Sequence, residues 1–276
     1  MIIESELELP ELPRGEGEAD LQITLGPVSG ANDKATLDEE FAFNIHAGAF
    51  QIKGGRQIIV DPRPGVDPEG LRVILLGRIM AFLLRQRGWL PLHASVVTVC
   101  EQGILFLGPS GAGKSTAAAA FHSRGHRVIA DDIGAVRLEH GQCVVQPAWP
   151  RVRLCPDSYE IVGGPDTPGR FQLDKFSVDL QHGELPKCSP VKRIYLLADG
   201  EQIRTETIPA LKAATLLSIH SFVRKHRVGR EVMIAHLQNC AGTAGAVAVV
   251  RLIRPRRLTA LPALVEFVEG EVLASA

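Results

Sequence analysis

Aromatic residues are scarce in this 276-residue chain, at 5% with two Trp and two Tyr, too few and too scattered to form a base-stacking surface for nucleic acid. An excess of one charge is missing as well. Thirty Lys+Arg against 31 Asp+Glu leave a formal charge of −1, so no whole-molecule field draws in a polyanion. The five cysteines, at positions 100, 143, 155, 188 and 240, are an odd set without a C-x-x-C pair. They point away from a disulfide framework or a zinc site and toward free thiols in a reducing compartment. There is no long apolar run either. The most apolar stretch, Leu71 to Leu84, is interrupted by Arg72, Gly77 and Arg78 and is too short to span a membrane. The first 20 residues carry seven acids and one Arg, the opposite of a signal or transit peptide. A cytoplasmic protein with neither a nucleic-acid nor a membrane partner is expected.

At 45% hydrophobic and 22% charged, with 27 Gly and 18 Pro, the chain can bury a sizeable core. Its length allows one large α/β domain or two smaller ones. The segments LQITL, FAFNIHAGAF and QIIVDP cluster β-formers between turn residues and read as short N-terminal strands. PEGLRVILLGRIMAFLLRQRG has helical apolar spacing and ends in Gly88, which predicts one long helix. LHASVVTV and ILFLG read as a hairpin whose second strand runs straight into GPSGAGKST. The alanine-rich AAAAFHSRG follows as a helix, then HRVIADD as a strand ending in two carboxylates. Beyond lie a hairpin (AVRLEHGQCVVQP), a strand (RVRLCP), and a turn-rich stretch from Gly163 to Pro190 read as a long loop. The strand VKRIYLLAD, helices over PALKAATLLSIHSFVRKH and REVMIAHLQNC, the strand AVAVVRLIRP and a closing helix LPALVEFVEG complete the chain. The preferred division is a β-rich part with one helix over 1–90 and an α/β catalytic domain over 91–276.

Gly108-Pro-Ser-Gly-Ala-Gly-Lys-Ser115 matches the G-x-x-x-x-G-K-[ST] phosphate loop, placed after an apolar strand and before a helix. Backbone N–H groups of Gly108, Ser110, Gly111, Ala112 and Gly113 would cradle the phosphates of ATP, with Lys114 reaching the β- and γ-phosphates. Ser115 would supply a hydroxyl to Mg²⁺, and Thr116 would touch the α-phosphate. Asp131 and Asp132 end the next strand, at the edge where a carboxylate can face metal and γ-phosphate. One can hold Mg²⁺, with Asp132 taken beside Ser115 for that role, and the other can take the proton of an attacking hydroxyl. Adjacent strand residues point to opposite faces, so sharing one site requires the strand to have ended. His93, as a lone histidine, reads by itself as structural rather than catalytic. Lys175 could neutralise charge on the transferring phosphoryl or be a solvated lysine. Arg151 and Arg153 alternate with Val152 and Leu154 and share a face, fit for substrate or phosphate contact or for solvent. Two basic clusters, Arg224 to Arg230 and Arg251 to Arg257, read as helix-end charge or as a groove for an acidic peptide.

Taken together, Leu92-His-Ala-Ser-Val96, the phosphate loop, and Arg124-Gly-His-Arg-Val-Ile-Ala-Asp-Asp132 closely resemble the catalytic core of HPr kinase/phosphorylase. The approach Arg87-Gly-Trp-Leu-Pro-Leu-His-Ala-Ser95 is similar to that of the small bacterial HPr-kinase-like proteins, some of which accompany lasso-peptide biosynthesis. This resemblance implies a P-loop α/β core with a β-rich N-terminal part, ATP and Mg²⁺ as cofactors, and transfer to a serine hydroxyl. It implies that the base and a metal contact come from Asp131 and Asp132, that His93 stands beside them, and that Lys175 matches a lysine of the small kinases. Thr116 stands where the HPr kinases carry Glu, and their glycine-rich signature after the core is not found. The expected partner is therefore the C-terminal Ser of a lasso precursor, singly or multiply phosphorylated, ahead of HPr. An HPr-type kinase, a small-molecule kinase and an ATP-responsive binding module remain alternatives, and self-association into a homo-oligomer is left open.

Overall fold

The computed structural model describes residues 1–31, 36–37, 40–148, 151–160, 169–172, 175–180, 188–223 and 227–274. It is a mixed α/β protein, as expected, and divides into two compact units. Unit 1 comprises Met1–Pro91 with Ser221–Gln238, and unit 2 comprises Leu92–His220 with Asn239–Ala276. The expected boundary at 90/91 makes no provision for the return of Ser221–Gln238 to unit 1.

Unit 1 holds β1 (Ile3–Ser5), β2 (Leu21–Leu25), β3 (Thr36–Leu37), β4 (Glu40–Ile45), β5 (Gly48–Lys53) and β6 (Gln57–Pro62). Five of these form a sheet in the order β1-β2-β6-β5-β4. The expected long helix is two helices, α1 (Pro68–Ile74) and α2 (Met80–Gln86), joined by a π-turn in which Gly77 leaves helical geometry. Asp67 caps α1 through a bond from the Gly70 N–H, and Pro68 opens it. The apolar face of this helix pair buries Leu71, Leu75, Ile79 and Phe82 against Phe41, Phe43, Phe50 and Ile58 of the sheet. Phe82 meets the rings of Phe41 and Phe43 edge-on, each at 5.6 Å. In the returning segment, Phe222 packs against this core, and β18 (Arg227–Val228) pairs with β3.

β7 (Leu90–Leu92) crosses the boundary in sequence. Unit 2 follows with β8 (Ala94–Val99), β9 (Gln102–Leu107), α3 (Lys114–Ser123), β10 (Arg127–Ala130), β11 (Gly134–Glu139) and β12 (Gln142–Gln146). Then come β13 (Arg151–Leu154), α4 (Pro156–Tyr159), β14 (Gly169–Gln172), β15 (Lys175–Asp179), β16 (Ser189–Asp199), β17 (Arg204–Thr207) and α5 (Ala210–Ile219). Last are α6 (Arg230–Ala246), whose residues through Gln238 belong to unit 1, β19 (Ala248–Arg254) and α7 (Leu261–Leu273).

The main sheet runs β10-β8-β9-β16, with β19 parallel to β16 and β17 beyond it. β9 and β16 are parallel, whereas β8 is antiparallel to both β9 and β10. The expected strand–loop–helix–strand unit is present, but its two strands are not neighbours, because β8 lies between them. Their C-termini still share an edge, and the N-terminus of β8 now joins them there. Alanines 117 to 120 let α3 lie close against the sheet, and Phe121 meets the ring of Phe106, which in turn stacks on Tyr195. Alanine also carries no helix-forming penalty. α7 is tied to its surroundings by two carboxylates. Glu269 accepts from His126 at 2.6 Å and pairs with Arg124, while Glu271 accepts from the Tyr195 and Thr205 hydroxyls.

One expectation fails in this unit. The stretch from Gly163 to Pro190 is not a loop throughout, because β14 and β15 pair with each other and β15 pairs with β13. Phe176 and Val178 alternate along β15, and the buried Val178 and Leu180 join Val152 and Leu154 in the core. That period of two is only a few residues long and was masked by the turn residues around it.

Gly134 opens β11 under the crossing of β8. A Cβ there would lie 2.9 Å from Val96 Cγ2 and 3.1 Å from the Ala94 Cβ. Gly134→Ala is expected to lower stability by about 1–3 kcal/mol, the usual cost of overpacking. An unchanged urea midpoint would contradict this packing.

Candidate active site

The glycine loop begins where β9 ends. Leu107 pairs with Ala94 of β8 on one side and Leu196 of β16 on the other. Gly111 and Gly113 have φ of 78° and 84°, left-handed values that glycine adopts without strain, and Gly113 caps α3. Gly108 is buried, Ser110 and Gly111 are exposed, and Ala112 and Gly113 are half-buried. Lys114 is buried at the first turn, its Nζ donating to Gly108 O at 3.0 Å and Pro109 O at 3.1 Å. Its ammonium thus lies folded along the loop. Thr116 Oγ1 shares a 3.0 Å bond with Ser158 of α4.

β10 stops at Ala130, so both acids lie beyond the strand. Asp132 has φ of 65°, a conformation that Asp tolerates better than most residues, and the Ile133 N–H turns back onto Asp131 O. The pair is thereby released from strand alternation. Asp131 Oδ1 accepts from the Ser95 hydroxyl at 2.5 Å and from the Ser115 hydroxyl at 3.1 Å, and Oδ2 accepts from the Arg153 N–H. The Arg153 guanidinium lies 3.9 Å from Asp132. One carboxylate therefore joins the glycine loop, the start of β8 and β13.

Most of the expected residues meet here. The loop, Lys114, Ser115, Asp131, Asp132 and Arg153 converge, with the Ser115 hydroxyl on Asp131 rather than on Asp132. His93, next before β8, lies at the same edge by register, its N–H donating to His220 O. Arg151 shares the Arg153 face of β13. Lys175 opens β15, but its side chain lies outside the described residues. So do Arg224, Lys225 and His226 of the first basic cluster. Ser95 was not singled out, although it follows His93 by two residues, near the start of β8. Of the second basic cluster, Arg254 lies at the glycine loop, donating to Ala112 O, and Asp199 beside it was not singled out.

Burial and the adjacent charge of Asp132 push the Asp131 carboxyl up to about 6, against the bonds from Ser95, Arg153 and Ser115 that favour its ionised form. Between about pH 4 and 6 the folded chain then holds a proton that the unfolded chain has released. The contribution of this group is full below the unfolded value of 3.8 and is lost as pH rises through about 6. Across that window the wild-type chain should lose up to about 3 kcal/mol relative to Asp131→Asn. Urea unfolding from pH 4 to 7 measures the difference, and parallel curves for the two proteins would refute it.

Residues 89–151 match the family model of the HPr serine kinase C-terminal domain. Over this segment the chain is HPr kinase-like. The HPr kinase/phosphorylase of Chlorobium limicola is 47% identical over 45 residues, which are 16% of this chain and 14% of that protein. The alignment thus spans about one seventh of that relative. The solved structure of the Hpr(Ser) kinase/phosphatase from Coxiella burnetii aligns with 67% of this chain and 97% of its own, at 15% identity and a TM-score of 0.38. The HPr kinase-like segment contains His93, Ser95, the glycine loop, Asp131 and Asp132, the residues that the fold gathers at one edge. No helix among the described residues is long and apolar enough to cross a membrane.

Proposed function

We propose that this protein is an ATP-dependent kinase that transfers the γ-phosphoryl group to a serine hydroxyl of a peptide or protein. The observation that carries this reading is the contact between Ser115 of the glycine loop and Asp131, which puts a carboxylate with a raised pKa beside the phosphate cradle. A pKa near 6 leaves Asp131 ionised at neutral pH yet basic enough to accept a hydroxyl proton. The donors present are hard oxygens, a hydroxyl and two carboxylates, and they suit Mg²⁺. Ser115 and Asp132 would hold the ion, which supplies charge neutralisation on the phosphates, and Asp131 would be left to take the proton. Lys114 would leave the loop carbonyls for the β- and γ-phosphates. Ser95 fixes the Asp131 carboxyl, and His93 would orient the base and the phosphate. Arg153, with Arg151 on the same strand face, would meet the substrate or its phosphate, and Lys175 would neutralise charge on the transferring phosphoryl.

The acceptor to test first is the C-terminal Ser of a lasso precursor, with HPr second. Intact mass after incubation with Mg-ATP decides between them. A ladder of phosphates on the precursor supports the first, and a single phosphate on HPr supports the second. Phosphorylation of a free metabolite with neither peptide modified would sink the peptide-kinase reading.

A further inference from the structure

At the end of the sheet, β16 outruns β9 by three residues. Leu107 pairs with Leu196, while β16 continues to Asp199, whose register partner on β19 is Arg254. Two cations are thereby brought against the outer side of the glycine loop. The Arg254 guanidinium donates to Ala112 O and lies 3.6 Å from Asp199 Oδ1. The Arg256 guanidinium donates to Gly111 O at 2.5 Å and lies 3.6 Å from Asp199 Oδ2. The Gly200 N–H closes the corner on Arg254 O, and a Cβ on Gly200 would lie 2.3 Å from Ile253 Cγ2. The corner therefore has room only for glycine.

A trans peptide unit points its N–H opposite to its C=O. Anchoring Ala112 O on the outer side thus turns the Gly113 N–H toward the inner side, where an anion would sit. Gly113 has a second reason to lack a side chain, since a Cβ there would come 2.9 Å from Arg254 Nη2. We propose that Arg254, aligned by Asp199, is a positioning residue that presets the glycine loop for nucleotide phosphates from behind. This rests on the nucleotide-binding reading above. Burial separates the two arginines in weight. Arg254 is 5% exposed, so its charge and bonds are little screened, whereas the Arg256–Asp199 pair is 61% exposed at both ends and contributes little.

The test is titration of the full chain with Mg-ATP and with ADP, alongside thermal unfolding. Arg254→Ala should weaken binding of both nucleotides by about tenfold or more, the size of one charge-assisted hydrogen bond. Millimolar guanidinium ion should restore part of the loss, and urea at the same concentration should not. Arg254→Lys should be intermediate, Asp199→Asn should weaken binding about threefold, and Arg256→Ala should stay within about twofold. Should Arg254→Ala fail to fold, Asp199→Asn and Arg254→Lys carry the test, because Asp199 is exposed and Lys keeps the charge. Wild-type affinity in these two variants, or a loss in Arg254→Ala that guanidinium does not relieve, would overturn the proposal. Failure of the unaltered chain to bind either nucleotide would overturn the kinase reading and this one with it. Binding in the unaltered chain that survives Arg254→Ala removes the positioning role alone.

Discussion

Lys114→Met is expected to lower phosphoryl transfer by on the order of 10³, the scale of removing a preorganised charge from a developing anion. The fold should survive. Lys114 is buried, and its aliphatic stem is matched by Met, while the bonds from Nζ to Gly108 O and Pro109 O are lost. Such bonds are worth about 1 kcal/mol each in net terms, a few degrees of melting temperature at most. The same ammonium serves two ends. With no nucleotide it satisfies the loop carbonyls, and with nucleotide it exchanges them for phosphate oxygens, so its removal should weaken both affinity and rate. Initial rates by intact mass, with affinity measured separately, check this. Transfer within tenfold of wild type would refute the assignment of the loop.

Asp131→Asn should leave nucleotide affinity within a few-fold and lower the rate of transfer by about 10² to 10⁴, the usual contribution of a general base. Asn keeps the shape and an oxygen for the Ser95 and Ser115 hydroxyls and gives up only the bond from the Arg153 N–H, so the glycine loop and β8 should stay joined at this side chain. What disappears is the group that takes a proton. For the wild-type chain the rate should rise with pH through about 6, where Asp131 ionises, and that limb should vanish in the variant. The double variant with Asp132→Asn should be no more active than the single one. An ATP-responsive binding module would behave differently, keeping its function in the double variant because it needs the loop and not the base. Normal turnover by the double variant would therefore sink the kinase mechanism.

The parts of this site that were legible in the sequence are those written in consecutive residues. Glycines at fixed offsets before Lys114 specify a loop, and a run of alanines specifies a close-packed helix, whatever the rest of the chain does. The carboxylate pair was visible too, because it ends an apolar strand. Its partners were not. Ser95 meets Asp131 across 36 residues because β8 inserts between β9 and β10, a sheet order that no local period reveals. Arg254 reaches Ala112 across 142 residues, and in the sequence it is one arginine in a basic cluster. The Arg-Gly-His run had a structural meaning that spacing alone did not show, since Arg124 and His126 both bind Glu269 of α7. The β14–β15 pair was lost among turn residues for the opposite reason. Local composition there favoured a loop, and pairing with β13 overrode it.

The return of Ser221–Gln238 to unit 1 bears on how this protein can be dissected. A fragment starting at Leu92 would carry Phe222 without the apolar cluster it packs against, and β18 without β3. It would also sever the bond from the Phe222 N–H to Pro91 O. No single cut separates the two units, because the chain passes between them three times. Isolating unit 2 requires bridging His220 to Asn239 as well as trimming the N-terminus, and limited proteolysis at one site would nick the protein without releasing either half.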